Sequence, residues 1–276
     1  MSQRILVPTD GSESAELGVR YAIALAKRLG GSISAIFVVD IKLLEGPFLR
    51  DLSASLGTAP YVNYQNNIAM LLEERGKAAL KAVEDAAAKA GVPFEGKVVT
   101  GVIHRCIVEA SELADLIVLG RAGEHSAWLE GLVGSTTEAV ARRAEVPVLV
   151  TGEDTPREGG YLVGYDGSAH SKQALKTAAN VAEDWKAALS VLCVGGTEVN
   201  AAEAEAQAYL ADRGVKAEFL RKDGSPGEAL VSVAKDIAAA GIVMGAYGHS
   251  KVLEVVTGST TAYTLNHAPC PVLLCR

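Results

Sequence analysis

Gly241-Ile242-Val243-Met244-Gly245-Ala246-Tyr247-Gly248, followed after nine intervening residues by Gly258-Ser259-Thr260, is the stretch on which the fold turns. The apolar run before Gly245 predicts a short buried parallel strand. Thr260, Ala262, Tyr263 and Leu265 predict a helix after it. The glycines therefore stand where a strand hands over to a helix, at the carboxyl end of a sheet, the place where open α/β folds hold their ligands. Gly245 and Gly248 carry no side chain to keep a ligand from the backbone. Ser259 and Thr260 open a helix whose unpaired N–H groups and dipole attract anions, a phosphate first among them.

A glycine loop before a helix is weak evidence alone, because ordinary turn chemistry produces the same pattern. Here the chain repeats it. Gly120-Arg121-Ala122-Gly123 follows Leu116-Ile117-Val118-Leu119, and Gly134-Ser135-Thr136 opens the next helix, with ten residues between Gly123 and Gly134 instead of nine. The first strand of each half repeats as well. Ile5-Leu6-Val7-Pro8-Thr9-Asp10-Gly11-Ser12 matches Tyr161-Leu162-Val163-Gly164-Tyr165-Asp166-Gly167-Ser168, an offset of 156 that holds through the second strands at 33–39 and 189–194. At the glycine loops the offset is 125 (245 − 120), so the first half is 31 residues longer in between. The excess falls at about 41–65, rich in Leu, Ser, Gly and Pro, and reads as a partly helical excursion serving as a packing flap, an interface element or a lid. A long helix over 68–90 answers to one over 201–213; third strands follow at 95–99 and 216–220, third helices near 105–113 and 227–239, and last strands at 147–150 and 271–274.

These elements predict an α/β chain of two tandem, doubly wound, five-stranded parallel-sheet domains, five strands alternating with four helices in each. The domains are expected at 1–152 and 161–276, with the charged, turn-rich stretch 153–160 as linker. A length of 276 residues agrees with two domains. Aromatics make up only 5% of the chain, so the cores must be built from Val, Ile, Leu and Ala. The net charge of −7 argues against nucleic acid or an anionic membrane surface as a standing partner. No apolar run approaches a membrane span, and the strand Arg4-Ile5-Leu6-Val7 starts at once, so a cytoplasmic protein is expected. Cys106, Cys193, Cys270 and Cys275 have no paired metal spacing and read as buried reduced thiols.

Asp10 and Asp166 end the first strands, which in a doubly wound sheet share a crevice with the fourth, so each should face its own glycine loop. Two roles are open to them. Each carboxylate can accept hydrogen bonds from a ribose hydroxyl or a base amino group, or it can cap the following helix. Ser12 and Ser168 are alternative caps that would release the carboxylates for a ligand.

Asp-Gly-Ser at 10–12 and 166–168, with Gly-x2-Gly-x9-Gly-Ser in the second half, resembles the universal stress protein family, and the doubled pattern resembles its tandem members over nearly the whole chain. The resemblance implies the adenine-nucleotide-binding α/β fold with pseudo-two-fold related halves, and binding of ATP or another adenine nucleotide, with a divalent metal (Mg2+ or Mn2+) on the phosphates in some members. It implies Asp166 on the ribose or base side, backbone contacts from Val194 to adenine, and Gly245, Gly248, Gly258, Ser259 and Thr260 around the phosphates. In the first half the matching positions are Asp10, Val38, Gly120, Gly123, Gly134, Ser135 and Thr136. The extra residue before Gly134 departs from the pattern, so the second site is expected to fill more dependably. Gly164-Tyr165 in place of Pro8-Thr9 is expected to reshape the wall beside the nucleotide. The resemblance also implies that the last strands of the halves pair within the chain as an intramolecular pseudo-dimer; further pairing into a homodimer stays open, as does the identity of any protein partner.

His249, Lys251, Arg121, Glu124 and His125 lie in or beside the loops and read first as solvated residues; His104, His170 and His267 read as surface or capping residues without metal spacing. No Gly-x4-Gly-Lys-Ser/Thr supplies a phosphate-loop lysine, and no set of residues for phosphoryl transfer is visible, so no catalytic residue is assigned and slow turnover of bound ATP stays open. A dinucleotide oxidoreductase would need Gly-x-Gly-x2-Gly where the chain has Asp10-Gly11-Ser12. A structural or interaction protein with empty clefts is the other competitor.

Overall fold

The computed structural model describes residues 3–45, 61–123, 133–152, 159–196, 199–246 and 259–276. These form two compact units. The first comprises the described residues up to 123 and Ser135–Arg143; the second comprises 133–134 and Ala144–Arg276.

In the first unit β1 (Arg4–Pro8), β2 (Ser32–Asp40), β3 (Phe94–Gly101) and β4 (Leu116–Leu119) form a sheet of order β3-β2-β1-β4, every pair parallel. Ile5, Leu6, Ile33, Ile36 and Ile117 are fully buried, as the continuous apolar runs of a sheet covered on both faces require. The helices are α1 (Glu13–Leu29), α2 (Ile41–Glu45), α3 (Tyr61–Ala90), α4 (Ile103–Ser111) and α5 (Ser135–Arg143). Ser12 caps α1 by accepting the Ala15 N–H at 3.2 Å, and Ala15, Val19, Ala22 and Ala26 line its buried stripe at helical spacing. α1 packs with α3, and α4 with α5.

The second unit contains β5 (Val148–Val150), β6 (Tyr161–Gly164), β7 (Leu189–Val194), β8 (Ala217–Lys222), β9 (Gly241–Gly245) and β10 (Val272–Cys275) in the order β5-β10-β9-β6-β7-β8. Its helices are α6 (Ala169–Trp185), α7 (Val199–Asp212), α8 (Pro226–Asp236) and α9 (Ser259–His267). All its pairs are parallel except β5 with β10, where Leu149 stands opposite Leu273 in an antiparallel ladder. The last strand of the first repeat thus pairs with the last strand of the second.

The repeat read from sequence is also a repeat of register. Ile5 pairs with Ile33 as Tyr161 pairs with Leu189, both shifted by 156. Ile5 also pairs with Leu116 as Tyr161 pairs with Gly241, a shift of 125 on the second strand. One expectation changes. α3 begins at Tyr61, seven residues before the expected Ile68, because Asn63, Gln65, Asn66 and Asn67 give no apolar period to read. The excursion contributes α2 at its start and the opening of α3 at its end, while 46–60 lie outside the described residues, as do 153–158 of the expected linker. Among the described residues, no helix is long and apolar enough to cross a membrane.

Candidate functional site

In both sheets the chain moves outward in one direction from the first strand and then returns to its other side, so β1 and β4 flank one switch-point crevice and β6 and β9 another. Asp10 lies just past β1. The ladder continues one step beyond the strand, with Thr9 N–H bonded to the Ile36 carbonyl at 3.0 Å, and Tyr165 repeats this on Leu192 at 2.9 Å. The chain then turns through Gly11 and Gly167, whose φ values of 78° and 79° lie in the left-handed region that a side chain disfavours.

The capping question is decided in favour of serine. Ser12 and Ser168 accept the N–H of Ala15 and Ser171, each at 3.2 Å. Asp10 and Asp166 instead close a local turn, each accepting the N–H two residues on, Ser12 or Ser168, at 2.9 Å through Oδ1. Asp10 also faces its loop. A Cβ placed on Gly123 would lie 2.9 Å from Asp10 Oδ2, so the carboxylate and the bare glycine backbone share the crevice.

The first glycine of each loop has a different job. A Cβ on Gly120 would lie 2.5 Å from the Ser14 carbonyl oxygen, and one on Gly245 would lie 2.6 Å from the His170 carbonyl carbon. Both glycines press the strand exit onto the first turn of the helix after Asp-Gly-Ser. Side chains that sequence reading passed over then fix the first loop. Ser14 Oγ accepts the Ala122 N–H at 3.1 Å, and the buried Thr137 hydroxyl donates to the Gly120 carbonyl at 3.0 Å. Arg75, on α3, donates to the Asp10 carbonyl at 3.2 Å and brings a guanidinium to the crevice. Only the Ser-Thr-Thr run at 135–137 hinted at Thr137; nothing in a helix of mixed polarity marked Arg75.

Gly134 immediately precedes α5, where Ser135 is exposed and Thr136 half-buried. Ser259 opens α9 and Thr260 follows it, half-buried. Val194 ends β7, whereas β2 runs two residues past Val38, with Val39 and Asp40 paired to Thr100 and Gly101. Gly248, Gly258, His249, Lys251, Glu124 and His125 lie outside the described residues.

The wall of the second crevice differs as the substitution of Pro8-Thr9 suggested, in a particular way. Gly164 makes room for Leu230 of α8, since a Cβ there would lie 3.2 Å from its Cδ2. The Tyr165 ring enters the core, and its hydroxyl donates to Glu205 at 3.0 Å. Burial, and then the Glu205 carboxylate, raise the phenol above its ordinary range. Lys172, 2.6 Å from Glu205, and the Tyr165 hydroxyl hold that carboxyl below the usual carboxylate range.

Cys193, Cys270 and Cys275 are buried, and burial pushes the thiols of Cys193 and Cys275 up to about 11, which keeps them protonated and unreactive at neutral pH. Among the described residues no group of three or more His, Cys, Asp or Glu side chains is arranged to hold a metal ion.

A sequence model described as the universal stress protein family matches residues 1–152 and 195–276. The chain is 30% identical to universal stress protein Slr1230 of Synechocystis sp., covering 99% of this chain and 100% of that one. It is 36% identical to universal stress protein MJ0531 of Methanocaldococcus jannaschii over 54% of this chain and 81% of that one. Among solved structures, a universal stress protein from Archaeoglobus fulgidus has a TM-score of 0.81 at 24% identity, covering 100% of this chain and 99% of that one, a likeness of fold.

Proposed function

The chain belongs to the universal stress protein family, and on that premise we propose that it is an adenine-nucleotide-binding regulatory protein with one nucleotide cleft in each half, the halves being 1–152 and 161–276 joined by 153–160. The observation that carries this reading is the approach of Asp10 Oδ2 to Gly123, a carboxylate acceptor beside a backbone with no side chain in the way. A nucleotide offers ribose hydroxyl donors to the first, and its phosphates need backbone amides such as line the second. In this reading Asp10 takes a ribose hydroxyl and the Val38 backbone meets adenine. Gly120, Gly123, Gly134, Ser135 and Thr136 surround the phosphates at the start of α5. Asp166, Val194, Gly245, Gly248, Gly258, Ser259 and Thr260 serve the same purposes in the second half. ATP is the proposed ligand. Mg2+ or Mn2+ would be carried in by the phosphates, which need no side-chain cage to hold it. Binding stiffens the loops and so alters which proteins the chain associates with.

Mass spectrometry of the denatured, purified protein and calorimetry with ATP test the reading. An adenine nucleotide should co-purify or bind. Asp10→Ala and Gly123→Val should each weaken one class of site at least about tenfold, the loss of one or more charge-assisted hydrogen bonds, with the melting temperature little changed. A chain that neither carries nor binds adenine nucleotides is instead an interaction protein with empty clefts.

A further inference from the structure

We infer that Ser14 is a positioning residue that presets the first glycine loop for the ligand of the cleft beside Asp10; the inference rests on the nucleotide reading above. The halves begin their first helices alike, with Asp10 and Asp166 closing the same turn and Ser12 and Ser168 making the same cap. They diverge at the second residue of the helix. By the offset of 156 that the strand register obeys, Ser14 corresponds to His170, Ala15 to Ser171 and Glu16 to Lys172.

In the first half that position holds the loop. Ser14 stands on the first turn of α1, a rigid element, and accepts the Ala122 N–H at 3.1 Å. From the other side Thr137 on α5 donates to the Gly120 carbonyl at 3.0 Å. The residues leaving β4 are tied to a helix at each side, and Gly123 is presented to Asp10. Gly18 lets the loop lie close along α1, because a Cβ there would already be 3.2 Å from the Gly120 nitrogen.

In the second half Tyr247, the counterpart of Ala122 at the offset of 125, lies outside the described residues. Gly245 presses as tightly on the start of α6, where His170, which carries no hydroxyl, takes the place of Ser14, and the Ala246 N–H is bonded to the Cys275 carbonyl at 3.0 Å. The hydroxyl of the adjacent Ser171 is used within its own turn: it donates to the Ser168 carbonyl at 3.0 Å and accepts the Asp166 N–H at 3.4 Å. Fixing a backbone has an entropic cost, and a loop fixed before the ligand arrives does not charge that cost to binding. One ordinary hydrogen bond corresponds to about three- to tenfold in affinity.

Calorimetry of the full chain with ATP reads the first cleft by itself in an Asp166→Ala background. There Ser14→Ala should weaken ATP binding about three- to tenfold, and Ser14→Thr, which keeps the hydroxyl, should restore it. Hydrogen exchange of the ligand-free protein gives a readout that a general loss of stability would not: the Ala122 amide should be protected, and deprotected in Ser14→Ala at an unchanged melting temperature. A Ser14→Ala chain with unaltered affinity at the first cleft, or with unaltered Ala122 exchange, would overturn the inference while leaving the nucleotide reading intact. Absence of any ATP binding by the wild-type chain would overturn both.

Discussion

Three glycines that look alike in a motif differ in what stands opposite them. Gly120 and Gly245 face backbone, the Ser14 carbonyl oxygen at 2.5 Å and the His170 carbonyl carbon at 2.6 Å from an added Cβ. Backbone in the first turn of a capped helix cannot step aside. Gly123 faces the end of the Asp10 side chain at 2.9 Å, which can rotate away. Gly120→Ala and Gly245→Ala should therefore each destabilise the fold by about 1–3 kcal/mol in urea unfolding, the cost of overpacking, whether or not a nucleotide is bound. Gly123→Ala should unfold like the wild type and lose affinity for ATP. Equal stability of all three variants would show that the first glycines do not serve packing. The spacing of the motif was legible in sequence; the division of labour within it was not, because it depends on which atoms of a distant helix each glycine meets.

Between elements, the two halves solve one packing problem with different chemistry. Where α3 covers β2 and β3, Gly76 lies against Phe37 and Val98, and Gly96 against Phe94 and Leu80. Residues of the second half correspond here at an offset of 123, since 202 − 79 and 217 − 94 agree for the helix and strand contacts. Leu80 becomes Glu203 and Val98 becomes Arg221, an ion pair across α7 and β8, with Asn200 accepting from the same guanidinium at 2.7 Å. Glu203 is 9% exposed. Arg221→Val alone strands a nearly buried carboxylate and should cost about 1–3 kcal/mol. Adding Glu203→Leu, so that both positions carry the apolar residues of the first half, should recover most of it in a double-mutant cycle of thermal unfolding. A double variant no better than the single one would mean the pair is wanted for more than packing. Strand order and the repeat could be read because Val and Ile runs end at Asp-Gly-Ser and Gly-x2-Gly. This swap could not, since Glu203 and Arg221 look like surface residues until the sheet brings them together. The early start of α3 was hidden for the opposite reason: its first turns carry polar residues with no face to declare.

At the scale of the whole molecule, acid should loosen the protein before its carboxylates titrate. Burial first, and then Arg143, Arg105 and Lys42, hold the His104 imidazole below its ordinary range. The unfolded chain therefore takes up a proton at a pH where the folded one does not. The stability this represents is whole above the ordinary imidazole range and is lost as pH falls through it towards the lower folded value. Urea unfolding between pH 7.5 and 5 should show stability falling with pH, and His104→Gln should flatten that slope; identical slopes would exclude His104 as the source. Glu205 acts in a lower window, its contribution disappearing only below the usual carboxylate range.

The antiparallel ladder of β5 with β10 joins residues that leave the ribosome far apart. Val150 is made 122 residues before Val272, its partner. At translation rates of about 5–20 residues per second, the earlier strand waits on the order of ten seconds with that edge bare. A three-residue strand is a poor template for a wrong neighbour, so its shortness protects the nascent chain during the wait.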